Sequence, residues 1–275
     1  MSPRGELAVV IPARNEADRI GATVRAAAGL PGVDVVVVVD DGSVDGTGAE
    51  AALAGAVVTR HARNLGKAAA METGAEAVLL IEGERAARDR AVGERAELTA
   101  GQGAMPELAR PRHLLFLDAD LGETAGYAGP LAAPVLAGEA DMTIAVFTTR
   151  VKRGGHGIVL GLAGAGIERS TGWRPAEPLN GQRCLTRAAF EAARPLAAGW
   201  GAETGLTIDL IRRGMRIAEV EVPLAHRPTG RDLASQLHRA RQLADVARAL
   251  AVRQPWRQAP AGAGAQVARR AGAAG

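Results

Sequence analysis

The side chains best suited to chemistry in this chain gather behind apolar runs. The run 7–12 leads through Pro12 and Ala13 into Arg14, Asn15 and Glu16. The run 33–40 ends on Asp40 and Asp41 before Gly42 and Ser43, and the run 113–118 ends on Asp118-Ala119-Asp120. Two adjacent carboxylates at the end of a buried strand repel each other unless N–H groups or a cation face them. An acidic pair with one residue between suits Mg2+ or Mn2+, ions that take one or two carboxylates and draw further oxygens from a substrate diphosphate. Taken alone, such a pair also fits a solvated helix cap, and Ser43 and Asp45 fit a turn that opens the next helix.

Three neighbouring patterns carry less. Asp41, Ser43, Asp45 and Gly46 approach a calcium loop, but its twelfth position is Ala52 where a bidentate Glu is required. Asn64-Leu65-Gly66-Lys67 places a lysine at a helix start, where phosphate can be met, yet Ala68 follows and no glycine stands five places before Gly66, so an ATPase loop is excluded. The glycines of 161–166 lack the spacing and strand context of a dinucleotide fingerprint and read as helix packing or loop.

Positioning these groups requires strands that alternate with helices. Residues 7–12 and 33–40, the latter with five consecutive valines, read as buried strands. Between them, 16–30 reads as a crossover helix with Ile20, Val24 and Ala27 on one face. A helix over 47–53, a strand over 56–60 and a helix over 66–80 repeat the rhythm, which makes the fold α/β with a mostly parallel sheet flanked by helices. Residues 82–112 carry mixed charge and little periodicity and read as an inserted, solvated, flexible segment before the strand 113–118, with a helical arm around 85–98 as the alternative. A helix over 127–137, a strand over 141–147, a helix over 158–169, a strand over 181–185, a helix over 204–213 and a strand over 216–222 follow. An amphipathic helix over 231–252 closes the domain, its apolar face read as Leu233, Leu237, Ala240, Ala244 and Ala247. Residues 1–252 thus form a single domain, and the Gly-, Ala-, Pro- and Arg-rich 253–275 reads as a disordered tail.

With 275 residues, 47% hydrophobic and 23% charged, the chain is long enough for an ample core, and only 3% aromatics make that core aliphatic. Its one cysteine, Cys184, excludes an internal disulfide and favours a reducing compartment, the cytoplasm. The first apolar stretch is short and runs into Arg14 and Glu16, which spoils a secretory segment, and the longest uncharged apolar-rich run, 157–167, is about half a membrane span. The net charge is +3, but from His226 onward nine arginines face only Asp232 and Asp245. This C-terminal basicity suits anionic lipid or a phosphorylated substrate; few aromatics and no reading motif argue against nucleic acid.

Four segments in order carry a resemblance: VVIPARNE at 9–16, VVDDGSVDGT at 38–47, NLGK at 64–67 and LFLDADLG at 115–122. The ordered set resembles family 2 glycosyltransferases. More loosely, Gly154-Gly155-His156-Gly157, Pro178-Leu179-Asn180-Gly181-Gln182, Trp200-Gly201-Ala202-Glu203 and His226-Arg227 resemble glucosyl-3-phosphoglycerate synthases. The resemblance implies the type A glycosyltransferase fold, a nucleotide-sugar donor such as a UDP-sugar, and Mg2+ or Mn2+ as cofactor.

Carried onto this chain, the resemblance places Pro12, Ala13 and Glu16 with Asp40 or Asp41 around the nucleotide base and Lys67 near base or phosphate. It places Asp120 and His226 on the metal, with Asp118 at the ribose or in the metal's outer shell. Gly154, Gly155, His156 and Gly157 would hold an acceptor that is unknown and anionic in the synthases, although Gly-His-Gly stands here where the synthases carry an arginine. Glu203 is the candidate base for an inverting reaction, its plainer role being a residue at a helix start; synthases of the phosphoglycerate type retain configuration, so both outcomes stay open. Lys152, Arg153 and His156 could receive an anionic acceptor.

A nucleotidyltransferase would show a glycine-rich basic loop after the first strand, where Ala-Arg-Asn-Glu stands. A non-catalytic binding module would not need Lys67, Asp118, Asp120 and His226 together. The partners expected are therefore a nucleotide-sugar donor and an acceptor, with no nucleic acid. The basic 231–252 helix suits covering the catalytic domain, the commoner role of an amphipathic helix, or a peripheral contact with an inner membrane surface, and a homodimer is a further expectation.

Overall fold

A computed structural model describes residues 6–100, 111–148, 157–224, 233–253 and 268–270. The first strands follow the hydrophobic pattern closely: β1 spans Leu7–Ala13, β2 Val33–Asp40 and β3 Val57–Arg60, joined by helices α1 (Ala17–Ala28) and α2 (Thr47–Leu53). Helix α3 (Lys67–Ala100) leads to β4 (His113–Phe116). A 3-10 turn and α4 (Gly129–Leu136) lead to β5 (Met142–Phe147), and α5 (Gly157–Thr171) leads to β6 (Arg183–Leu185). Then come α6 (Arg187–Ala193), α7 (Ala202–Arg212), β7 (Ile217–Val222), α8 (Leu233–Val252) and β8 (Ala268–Arg270).

The eight strands form one sheet in the order β3-β2-β1-β4-β6-β5-β7-β8. All neighbours are parallel except β6, which runs antiparallel to both β4 and β5. Strand parity assigns the faces. Val36 and Val38 join Ile20, Val24, Leu131 and Val135 from α1 and α4, while Val35, Val37 and Val39 join Met71, Val78, Phe190 and Leu210 from α3, α6 and α7. Each fully buried valine contributes about 1.5–3 kcal/mol, so the valine run commits β2 to the middle of a three-layer sandwich. A third cluster, Val159, Ala163, Ile167, Ile208, Val246 and Leu250, packs α5, α7 and α8 together.

Several elements differ from the sequence reading. The helix expected to stop near Leu80 continues to Ala100, because Glu82 and Arg85 are fastened from elsewhere in the chain. Glu82 pairs with the buried Arg112 and Arg187, and Arg85 joins Arg112 on Asp34. Residues 82–100 are therefore helical and begin in an ion-pair network, where a solvated insertion was expected. Helix α6 was missed although Thr186 announces it, its hydroxyl accepting the Ala189 N–H at 3.1 Å. Among the described side chains of α8 the buried ones include Gln242, Val246, Ala249 and Leu250, while Ala244 and Ala247 of the expected face are exposed; Leu233, Leu237 and Ala240 lie outside the described side chains. Alanine is indifferent to burial compared with Val and Leu. Ala268–Arg270, inside the expected tail, pairs with β7 as the edge strand.

Candidate active site

The carboxyl ends of β1, β2 and β4 lie side by side, with Ala13 paired to Asp40 and Val10 to Phe116. Chain order reverses here: β2 and β3 extend the sheet on one side of β1, and β4 returns on the other. Loops that leave such strands diverge and open a crevice at this edge.

Polar bonds lace the first two loops together. Asn15, at φ 56°, donates its N–H to Ser43 Oγ at 3.0 Å and accepts the Val44 N–H at 3.0 Å. The Glu16 N–H reaches Thr47 Oγ1 at 2.8 Å. Asp45 accepts the Thr47 and Ala17 N–H groups, making the turn expected before α2. Behind them, Ala13 O accepts the Asp41 N–H at 2.8 Å.

Different donors face Asp40 and Asp41, which removes the conflict between adjacent carboxylates. Asp40 accepts the Ser43 N–H at 2.8 Å and lies 3.5 Å from Arg60 Nε. Asp41 accepts the Leu65 N–H at 2.7 Å and the Gly66 N–H at 2.8 Å, with His61 Nδ1 also at 2.8 Å. Both are buried and engaged in holding loops. Gly42, at φ +69°, lets this happen, since a Cβ there would sit 2.6 Å from the carbonyl carbon of Arg63. Asp41 thereby fixes the turn that starts α3 and delivers Lys67.

Lys67 is the centre of the arrangement. Its Nζ lies 2.6 Å from Asp118 Oδ1 and 3.2 Å from Glu203 Oε1. The second contact is an ion pair without the direction of a good hydrogen bond, and among the described residues neither Glu203 oxygen accepts a directed hydrogen bond. Burial by itself would push the Lys67 ammonium down, but the charges of Asp118 and Glu203 outweigh it and hold the group above its ordinary value. Glu203 lies in the first turn of α7, 1% exposed.

The turn Asp118-Ala119-Asp120 is clamped from α1. Arg19 Nη1 donates to Asp120 O at 2.7 Å, while the buried Thr23 hydroxyl donates to Ala119 O at 2.8 Å and accepts the Gly122 N–H at 2.8 Å. On the other side stands antiparallel β6. The pairing of Phe116 with Arg183, continued outward, sets Gly181 opposite Asp118. A Cβ on Gly181 would lie 2.0 Å from Lys67 Nζ and 3.0 Å from Asp118 Oδ1.

The structure thus brings Lys67, Asp118 and Glu203 together, sets Asp120 beside them, and places Pro12, Ala13, Glu16, Asp40 and Asp41 on the adjoining rim. His226, Gly154, Gly155, His156, Lys152 and Arg153 lie outside the described residues, and Gly157 begins α5. Sequence reasoning missed Arg19, Thr23 and Gly181 as supports of the site. A threonine on the buried stripe of α1 is the signal that marks one of them.

Residues 8–79 match glycosyl transferase family 2. An uncharacterized protein of Methanocaldococcus jannaschii is 42% identical over 79 residues, 29% of this chain and 32% of that protein, so the match spans about a third of the relative's length. Glucosyl-3-phosphoglycerate synthase from Mycobacterium tuberculosis, solved with phosphoglyceric acid, superposes with a TM-score of 0.64 at 25% identity, over 90% of this chain and 79% of that one. The same synthase solved with Mn2+, uridine diphosphate and glucosyl-3-phosphoglycerate gives the same four values. A further mycobacterial protein gives a TM-score of 0.66 at 26% identity, over 90% and 74% of the two chains. Residues 8–79 are thus similar to glycosyl transferase family 2, and the chain that carries them has the type A glycosyltransferase fold.

Proposed function

We propose that this protein transfers a hexose from a nucleoside-diphosphate sugar of the UDP class to a hydroxyl of an anionic acceptor, with Mg2+ or Mn2+ as cofactor. The observation that carries the reading is the Lys67 ammonium set between Asp118 and Glu203 at the sheet's switch point, beside a clamped acidic turn. The family match and the likeness to a synthase crystallised with Mn2+ and uridine diphosphate support it.

The acidic turn fits the cofactor. Its donors are carboxylate oxygens, and its backbone is immobilised by Arg19 and Thr23. Among the described residues no group of three His, Cys, Asp or Glu side chains could hold an ion, so their share of such a site is the acidic pair. Asp120 would hold the ion, with His226 as the second protein ligand and Asp118 toward the ribose. A bound Mg2+ or Mn2+ supplies positive charge against the leaving diphosphate. Lys67 adds a fixed cation on the same side. The acceptor oxygen forms a bond to the anomeric carbon as the bond from that carbon to the diphosphate oxygen breaks, the electron pair leaving with the nucleoside diphosphate. If the transfer inverts the anomeric centre, Glu203 receives the acceptor's proton; a retaining transfer needs no such base. Gly154, Gly155, His156 and Gly157 are proposed to hold the acceptor.

Thermal shift and released-diphosphate assays with UDP-, GDP- and dTDP-sugars, with Mn2+ and with EDTA, test the reading. Stabilisation and turnover by one donor that vanish in EDTA and in Asp120→Asn are expected. No response to any donor would move the weight to a binding module on the same fold.

A further inference from the structure

Arg183 is a cation buried in the core, 0% exposed, and among the described residues no carboxylate pairs with it. Its guanidinium donates from Nε to Asn180 O at 2.8 Å, from Nη1 to Thr207 Oγ1 at 2.8 Å and to Glu203 O at 3.1 Å, and from Nη2 to Pro178 O at 3.2 Å. Thr207 in turn donates its hydroxyl to Glu203 O at 2.8 Å. Burial pushes Arg183 down to about 10, with the charge of Glu203 offsetting part of that.

An apolar side chain of similar volume would fill this space without desolvating a charge. What arginine offers instead is a planar fork with donors fixed in several directions. Those donors reach two segments that touch the site from different sides. Pro178 and Asn180 belong to the turn that carries Gly181 against Lys67 and Asp118, and Glu203 and Thr207 form the first turns of α7. The Glu203 carboxylate lies 3.2 Å from Lys67 Nζ, and Arg183 and Thr207 hold the backbone from which it reaches that ammonium.

We propose that Arg183 is a positioning residue of the active site: by tying the turn before β6 to the first turns of α7, it sets the distance at which Gly181 and Glu203 stand from the Lys67 ammonium. The proposal rests on the reading of Lys67 and Glu203 as site groups.

The test compares wild type with Arg183→Lys, which keeps the charge and loses the fork, and with Thr207→Val and Thr207→Ser. Mn2+-dependent release of UDP from UDP-glucose, UDP affinity by calorimetry and crystal structures are the measurements. For Arg183→Lys, kcat falls about tenfold or more while KM for UDP-glucose and the affinity for UDP stay within about twofold, as misplacement of a reacting group predicts. Thr207→Val loses about three- to tenfold in kcat, and Thr207→Ser recovers it. Wild-type kcat in Arg183→Lys, or equal losses in the Val and Ser variants, overturns the proposal. Should Arg183→Lys fail to fold, the Thr207 pair decides. Should wild type release no UDP, the functional reading fails on its own, and crystallography decides the positioning. A Glu203 carboxylate moved by more than about 0.5 Å from Lys67 in Arg183→Lys or Thr207→Val supports it, and an unmoved one overturns it.

Discussion

Gly181 and Lys67 occupy a space that has no room for a side chain on the first: a methyl group at Gly181 would lie 2.0 Å from Nζ of Lys67. Nζ is the far end of a flexible side chain, so Gly181→Ala is relieved by moving the ammonium and leaving the backbone in place. The expected outcome is a melting temperature within a few degrees of wild type and a loss of sugar transfer on the order of a hundredfold, since displacement by about 1 Å has that effect. Turnover equal to wild type would show that the position of Lys67 is immaterial.

Removing the cation is a different perturbation. Lys67→Met leaves Asp118 and Glu203 facing each other without compensation, and should cost about 3 kcal/mol in urea unfolding at pH 7. Glu203→Gln in the same chain should return part of it. The pH dependence has a definite sign. The Lys67 ammonium is held above its ordinary value in the folded state, so its contribution is complete below the unfolded lysine value of about 10.4 and fades as pH rises through the higher folded value. The stability gap between wild type and Lys67→Met should be flat from pH 6 to 9 and narrow only in strong alkali. A gap that widens with pH would contradict the assignment.

Thr23 offers a test of the acidic turn without touching its carboxylates. Thr23→Val keeps the shape but leaves the Gly122 N–H and the Ala119 carbonyl without their partner. A stability loss of about 1–3 kcal/mol is expected. Affinity for UDP measured with Mn2+ should weaken on the order of tenfold, as for other supports of an ion's ligands, and Thr23→Ser should restore both. If affinity holds while stability falls, the clamp serves the fold alone.

The C-terminal helix is tied to the layer that presents Glu203. Arg253 donates to the Asp209 carboxylate from Nε at 2.9 Å and from Nη2 at 2.6 Å. Upstream, Asp245 accepts the Trp200 N–H at 3.3 Å, and a Cβ on Gly201 would lie 2.6 Å from that of Ala249. Arg253→Ala should lower stability by about 2 kcal/mol, the range for hydrogen bonds to charged groups. An unchanged urea midpoint would show that α8 is not held to α7 through this pair.

The first half of the fold is written in local patterns. Apolar runs closed by Asp40 and Asp118, and the stripe Ile20, Val24 and Ala27, encode strand and helix through the periods 2 and 3.6, which neighbouring residues alone display. The continuation of α3 past Leu80 is not written that way, because its supports, Asp34, Arg112 and Arg187, are distant in the chain. Ala244 and Ala247 of α8 are exposed where burial was expected for a related reason: alanines mark no side of a helix until a partner surface exists.

The same division runs through the site. Residue types and order already placed acids at strand ends and a lysine at a helix start, and with them the prospect of a diphosphate and a divalent cation, because that chemistry follows from charge and from the end of the element on which it stands. That Lys67 would meet Glu203, that Asp41 would serve the α3 turn, and that Arg183 would sit charged in the core came only with folding. Distances of about 3 Å between residues far apart in sequence depend on strand order and on the reversed direction of β6, and no local pattern along the chain carries either.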